Sequence, residues 1–367
     1  MITLDPAKCV RSLSTFSECN HCELICPTPA IVINDTLPSI NLSECVGCGG
    51  CTSVCPSEAF TLDNFNPTEF FFEFASDEEK LVSCQKNVPC ISALNVEHVI
   101  GLAALKGGVI FDMGHCEACS IAHTCQPQIE KMADEASYLL SAMEIDAEVS
   151  LENVAYQRDE NEKEPDENRR GFFKAINLKN VFKGKKTFER EVEVASDELV
   201  EHSLDKSAIA QMRQKSLPDR RKLLYTALKR VGKPSVYHII DANELSFTSS
   251  KLLNAETCTA CQMCYRVCPT GALSTDARNS KIDFDPFMCI KCHICHDVCE
   301  PNSITLSPSY NVKEFFEPEV KKLVSFNVRN CYECGRIFSS LGREKLCYFC
   351  KIEEEEARDL WGIGNDE

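Results

Sequence analysis

Eight cysteines between Cys258 and Cys299 fall into two runs of the same spacing, and no other feature constrains the fold of this chain so tightly. Cys258, Cys261, Cys264 and Cys268, with Pro269 behind them, form a C-x2-C-x2-C-x3-C-P run; Cys289, Cys292, Cys295 and Cys299 repeat the spacing. Spacers this short let three thiolates of one loop close on three irons of a cubane, while the fourth cysteine reaches the neighbouring cluster. The pair therefore predicts two [4Fe-4S] centres with exchanged ligands. Cys258, Cys261, Cys264 and Cys299 are expected around one, and Cys289, Cys292, Cys295 and Cys268 around the other. Proline after the fourth cysteine bends the chain away from the cluster. Behind Cys299 it is displaced by one residue, to Pro301 after Glu300, which alters the turn without removing a ligand.

The first sixty-odd positions read as a divergent copy. Cys45, Cys48, Cys51 and Cys55 with Pro56 have the full spacing, and Cys19, Cys22 and Cys26 with Pro27 supply the last three positions of a partner run. Cys9 stands where a first ligand is needed, behind a longer spacer. The expected sets are Cys9, Cys19, Cys22 and Cys55 for one cluster and Cys45, Cys48, Cys51 and Cys26 for the other. If Cys9 were only a buried thiol, the first cluster would be a three-iron or labile centre. By spacing and order both segments resemble the bacterial-type 2[4Fe-4S] ferredoxins. The resemblance implies a polyferredoxin, similar to the multi-cluster subunits that carry electrons for formate dehydrogenases, hydrogenases and related anaerobic reductases.

The chain has 367 residues, enough for several domains, and 25 cysteines. Its start, Met1-Ile2-Thr3-Leu4-Asp5-Pro6, has no basic region followed by an apolar run, and no long apolar stretch follows. We therefore expect a cytoplasmic protein without a membrane span, in which C-x2-C spacing means metal rather than disulfides. A formal charge of -17 argues against nucleic acid and points to a redox protein partner with a basic surface.

The expected architecture is α+β and multidomain. A first ferredoxin-like module covers 1–66, a small α/β cysteine-bearing domain 67–149, and a charged linker with a helical region 150–250. A second module covers 251–312, and a zinc-ribbon-like motif with an acidic tail covers 313–367. Both modules are expected to run on into an aromatic edge strand, at Glu69-Phe70-Phe71 and at Glu314-Phe315-Phe316. Hairpins are expected at Ala30–Asn34 with Pro38–Asn41 and at Ala272–Ser274 with Lys281–Phe284.

In the α/β domain, Leu81-Val82-Ser83-Cys84 and Val109-Ile110-Phe111-Asp112 read as parallel strands, with helices over Val96–Leu105 and from about Pro127 to Met143. Cys84 and Cys90 follow the first strand, and Cys116, Cys119 and Cys125 follow the second. Ligands in open α/β sheets bind at the carboxyl ends of strands. Three readings stand: a further iron-sulfur cluster on Cys84, Cys116, Cys119 and Cys125 with Cys90 spare, a partly buried thiol set, or a redox-active cysteine pair.

Arg158 to Glu167 reads as a solvated linker, Ser196 to Arg230 as largely helical, and Leu217-Pro218-Asp219-Arg220-Arg221 as a helix entry whose basic residues neutralise an acidic neighbour. Cys331-x2-Cys334 and Cys347-x2-Cys350 resemble a zinc ribbon, a structural site of four thiolates; an iron centre takes the same ligands. Lys351 to Glu367 reads as an acidic tail. His21, His293 and His296 lie inside the cysteine runs as ordinary loop residues or tuning groups.

No dinucleotide fingerprint or P-loop occurs. The reading that follows is a non-catalytic electron-transfer protein with four [4Fe-4S] clusters and one zinc ion. Two alternatives are an oxidoreductase subunit whose central cysteines are fed by the ferredoxin modules, and an assembly factor that holds clusters transiently.

Overall fold

The structure, a computed structural model, describes residues 2–34, 37–154 and 215–361. The charged stretch from Arg158 to Glu167, the helical reading of 196–214 and the end of the acidic tail lie outside the described residues.

A three-stranded parallel sheet, Leu81–Val82, Val109–Asp112 and Val149–Glu152 with the second strand central, forms the middle of the molecule. Its inner strand buries Val109 and Phe111 between helices Val96–Lys106 and Ala122–Ala142. The first helix starts where Asn95 Oδ1 accepts the Glu97 N–H (2.9 Å) and His98 Nδ1 accepts that of Asn95 (3.3 Å). It stops at Gly107, whose φ of 67° suits the left-handed residue that closes a helix. The second helix begins five residues before Pro127, which it accommodates inside its second turn. The sheet also runs past the boundary expected at 149, because Ser150, Leu151 and Glu152 pair with Ile110, Phe111 and Asp112.

The two cysteine-rich segments share a skeleton. In the first, Ile2–Leu4 pairs antiparallel with Phe60–Leu62, and Ile31–Val32 with Ser39–Ile40. In the second, Lys251–Leu253 pairs with Ile304–Leu306, and Leu273–Ser274 with Lys281–Phe284. The displaced proline does not change the closing turn. Glu58 and Asn302 both have positive φ (52° and 50°), and the next N–H donates to the sulfur four residues back: Ala59 to Cys55 at 3.3 Å, Ser303 to Cys299 at 3.2 Å.

The expected aromatic edge strands are absent. Glu69-Phe70-Phe71 lies in an α-helix, Pro67–Ser76, and Glu314-Phe315 in a 3-10 turn, Val312–Phe315. An asparagine opens each: Asn66 accepts the N–H groups of Thr68 and Glu69, and Asn311 that of Lys313. The repeated pattern is thus Asn-x-x-Glu-Phe-Phe, a capped helical entry. Only the first copy has proline at the first helical position and enough apolar residues to continue. The strands beyond also differ, since Leu81–Val82 joins the parallel sheet while Lys321–Ser325 pairs antiparallel with Lys281–Phe284.

One apolar core joins the central unit to the second cysteine-rich segment through helix Asp219–Val231. That helix lies along Val96–Lys106 at Gly101, where an added Cβ would sit 2.9 Å from the Phe71 ring and 3.5 Å from Ala227 Cβ. Leu223, Leu224 and Leu228 face this core with Ile100, Phe287 and Phe315. The first segment keeps a separate small core around Ile2, Ile31, Ala59 and Phe60.

At the C-terminal end, Asn327–Asn330 and Ile337–Ser340 form a hairpin followed by helix Tyr348–Trp361, so the described part of the tail is helical. Among the described residues, no helix is long and apolar enough to cross a membrane.

Candidate metal centres

The N-terminal cysteines gather into two groups of four. Burial raises the thiols of Cys9, Cys19 and Cys22, to about 11 for Cys19 and about 12 for Cys22, and in each case Cys55 adds to the rise. Cys51 is raised by burial and then by Cys48, Cys26, Cys22 and Cys45. Cys9 therefore stands beside Cys19, Cys22 and Cys55, and Cys26 beside Cys45, Cys48 and Cys51. The second group lines a small pocket with Pro27, Ala30, Ile31 and Leu62.

The later segment repeats this arrangement. Burial raises Cys258, with Cys261 and Cys299 adding to the rise; it raises Cys264 as well, with Cys295, Cys261 and Cys258 adding. Cys258, Cys261, Cys264 and Cys299 line a second small pocket. Cys292 and Cys295, both raised by burial, neighbour Cys268 and Cys289. Thiols crowded in apolar surroundings remain protonated when nothing cationic lies between them, and bound metal reverses that preference. The four groups are those expected from the spacing, and their chemistry fits iron.

Several side chains anchor these loops. Thr28 Oγ1 donates to the carbonyl of Glu44 (2.8 Å) and Thr270 Oγ1 to that of Met288 (2.7 Å), in each case tying the end of one run to the residue before the next. Ser249, fully buried, places its hydroxyl 3.4 Å from Cys289 Sγ. Lys251 lies beside Cys295 and 2.7 Å from His296 Nε2. Burial, then Lys251, holds His293 and His296 at about 4, so both rings are neutral at pH 7.

The groups adjoin one another across the two segments. Cys19 and Cys292 pack on one apolar cluster made of Val10, Val267 and Ile294. Beside it the Glu18 N–H donates to Asp297 Oδ2 at 3.0 Å. A buried ionic clasp fixes the same two segments. Arg220 donates to the carbonyls of Cys55 (2.7 Å) and Pro56 (3.0 Å), while Arg221 donates to those of Phe287, Cys289 (3.2 Å) and Phe247 (2.9 Å). Both guanidiniums bind Glu97, one on each carboxylate oxygen. The neutralising role expected of these arginines is present, but its partner is one buried residue of the central unit.

The central cysteines converge as well, with Cys90 in their midst. Burial raises Cys84 to about 11, with Cys90, Cys116 and Cys119 adding; it raises Cys116 to about 11, with Cys90 and Cys119 adding. Cys125, 3% exposed, lies against Cys48 and Cys90, and this contact raises its thiol and lowers both of theirs. Gly49 makes this contact possible. It has φ of 83°, and a Cβ there would come within 2.6 Å of Ala93 Cβ.

Cys331, Cys334, Cys347 and Cys350 have sulfurs all within 4.8 Å of one another, those of Cys334 and Cys347 being 3.8 Å apart. A tetrahedron of thiolates about 2.3 Å from a central zinc has edges of about 3.8 Å. Gly335, at φ of 66°, turns the first knuckle, and the Cys347 N–H donates to Cys331 Sγ (3.3 Å).

Sequence reasoning singled out none of Glu97, Thr28, Thr270 or Ser249. The threonines carried a signal, since each stands two positions after the last cysteine of its run; the others are brought in by tertiary packing alone.

Comparison with known proteins adds two family matches. Residues 16–64 match the LdpA Fe-S cluster-binding domain, and residues 250–300 match the 4Fe-4S dicluster domain. A stretch of 59 residues is 42% identical to the pyruvate synthase subunit PorD of Methanocaldococcus jannaschii. It covers 16% of this chain and 66% of that subunit, just under two thirds of its length. No solved structure matches the chain. The chain thus carries iron-sulfur binding segments of the ferredoxin type.

Proposed function

We propose that this chain is an electron-transfer protein, a polyferredoxin with four [4Fe-4S] clusters and one structural zinc ion. Residues 1–66 and 251–312 are its two ferredoxin modules, the parallel sheet and its helices form a central domain, and 313–367 is a zinc-ribbon-like end. Cys9, Cys19, Cys22 and Cys55 hold one cluster, and Cys26, Cys45, Cys48 and Cys51 the second. Cys258, Cys261, Cys264 and Cys299 hold the third, and Cys268, Cys289, Cys292 and Cys295 the fourth. Each cluster, when bound, takes up and gives back single electrons. Cys331, Cys334, Cys347 and Cys350 hold the zinc.

The observation that carries this reading is the grouping of sixteen cysteines, fifteen inside the two family-matched segments and Cys9 just ahead of the first, into four neighbouring sets of four, two of them lining pockets. All four positions of each set are cysteine, so the protein saturates the cluster and leaves substrate no open position. The protein's own work is to hold the sets in contact, exclude water between them and set their charge environment. The likeness to a pyruvate synthase subunit favours an oxidoreductase as partner, of which a formate dehydrogenase or a hydrogenase would be other examples. The outermost set includes the exposed Cys261 and is the natural place for that partner to dock. A reducing cytoplasm is the compartment in which such sites assemble.

Anaerobic purification with iron, sulfide and zinc counts, and EPR on stepwise reduction, tests the reading. About sixteen irons from four cubanes, at least, with reversible one-electron signals are expected. Colourless, iron-free protein overturns it.

A further inference from the structure

The central cysteines lie outside both family-matched segments, yet they are built against one of them. The contact is made by the turn Ile91–Ala93 lying on helix Gly50–Val54, and Asn95 Nδ2 pins it by donating to the Ser53 carbonyl (2.7 Å). The position a Cβ would take on Gly50 is 3.7 Å from Ser92 Oγ and 3.9 Å from Cys48 Sγ, so hydroxyl and sulfur flank the same point. Ser92 is fully buried and its hydroxyl has no hydrogen-bond partner of ordinary geometry; it faces the thiols of Cys90 and Cys125. A buried hydroxyl without a partner costs free energy, and a donor aimed at sulfur recovers that cost when the sulfur carries charge.

The five thiols are not equivalent. Cys84, Cys90, Cys116 and Cys119 neighbour one another and are all half-buried, at the carboxyl ends of two parallel strands. Cys125 is buried on the far side, between Cys90 and Cys48.

We propose that Cys84, Cys90, Cys116 and Cys119 bind a further iron-sulfur cluster, and that Cys125 is not a ligand but a thiol donor joining Cys90 to Cys48. This rests on the electron-transfer reading and extends it. The central domain becomes the end station of the row of ligand sets, entered from the Cys26, Cys45, Cys48 and Cys51 set. The assignment departs from the spacing-based expectation by exchanging Cys125 for Cys90. Ser92 and Cys125 are positioning residues: each presents a hydrogen to a sulfur at the junction and touches no substrate.

The test uses the full chain, reconstituted anaerobically, with iron and sulfide counts, Mössbauer spectra and redox-poised EPR. The wild type is expected to hold about two irons ([2Fe-2S]) or about four ([4Fe-4S]) beyond the sixteen of four cubanes. Cys116→Ser, and separately Cys84→Ser, should lose only those irons. Cys125→Ala should keep all irons but shift the potential of the Cys48 cluster and weaken its magnetic coupling to the new centre. Cys125→Ser, which keeps a donor, should restore much of both. A wild type with sixteen irons and no more overturns the inference while leaving the electron-transfer reading intact. Fewer than the four cubanes overturns that reading instead. Loss of the extra irons in Cys125→Ala and Cys125→Ser, with their retention in Cys90→Ser, overturns the ligand assignment.

Discussion

Glu97 and Arg221, 124 residues apart in sequence, form an ion pair from which solvent is absent, with side chains 1% and 0% exposed. The second oxygen of Glu97 holds Arg220 at 2.8 Å, so one carboxylate neutralises two adjacent guanidiniums that reach into different iron-sulfur segments. Burying one anion with two cations is tolerable because the remaining guanidinium protons are spent on backbone carbonyls around Cys55, Phe287 and Cys289.

Removing that carboxylate leaves two buried cations with no counter-charge. Glu97→Ala is expected to destabilise the protein by about 3–5 kcal/mol. The measure is the urea concentration at which the iron-sulfur absorbance is half lost. Replacing Glu97, Arg220 and Arg221 together by methionine should recover part of the loss, because no buried charge of the triad then remains unpaired.

Hydrogen bonds to sulfur favour the more negative, reduced state of a cluster and so raise its potential. Ser249→Ala removes the hydroxyl 3.4 Å from Cys289 Sγ. The cluster on Cys268, Cys289, Cys292 and Cys295 should fall in potential by on the order of 20–60 mV, the equivalent of one hydrogen bond for a one-electron couple. Redox-poised EPR reads this shift directly, and the other proposed centres should keep their potentials.

His98 supplies a pH dependence. Burial, with Arg220 nearby, holds its ring at about 3, against an ordinary value of 6.5. A pKa depressed in the fold means that the unfolded chain binds the proton first, so stability is full above about 6.5 and is lost as pH falls towards 3. Between pH 6.5 and 5 the loss approaches about 1.4 kcal/mol per pH unit for this one group. Denaturation midpoints at pH 7 and 5.5 should differ less in His98→Gln than in the wild type.

The C-terminal thiolates are the proposed site of a separate metal. Cys331→Ser is expected to remove one zinc while the iron count stays unchanged, read by elemental analysis of the same sample. A zinc count that stays the same, or iron lost in step with it, would overturn the zinc assignment at these four cysteines.

Much of the candidate site was legible because thiolate spacing is a local property. Cys258 to Cys299 needs no tertiary information to be read, and even Cys9, behind its long spacer, stands beside Cys19, Cys22 and Cys55. The central sheet could be read from apolar runs at Leu81 and Val109, but its third strand could not. Only Val149 of Val149–Glu152 is buried, so the strand lacks the apolar run that marks a strand in sequence. Aromatic residues at Phe70 and Phe71 suggested strand by propensity, and the cap at Asn66 with Pro67 prevailed. The partnership of Glu97 with Arg220 and Arg221 was illegible for a simpler reason: no local pattern says which carboxylate a distant guanidinium will meet.

Val10, Val267 and Ile294 meet where the two iron-sulfur segments touch, and all three are nearly sealed from solvent. A joint lined by methyl groups has few dipoles and little water to reorient when charge density changes on either side. Its stiffness makes the crossing insensitive to ionic strength, so salt should modulate how other molecules approach this protein and not what happens inside it.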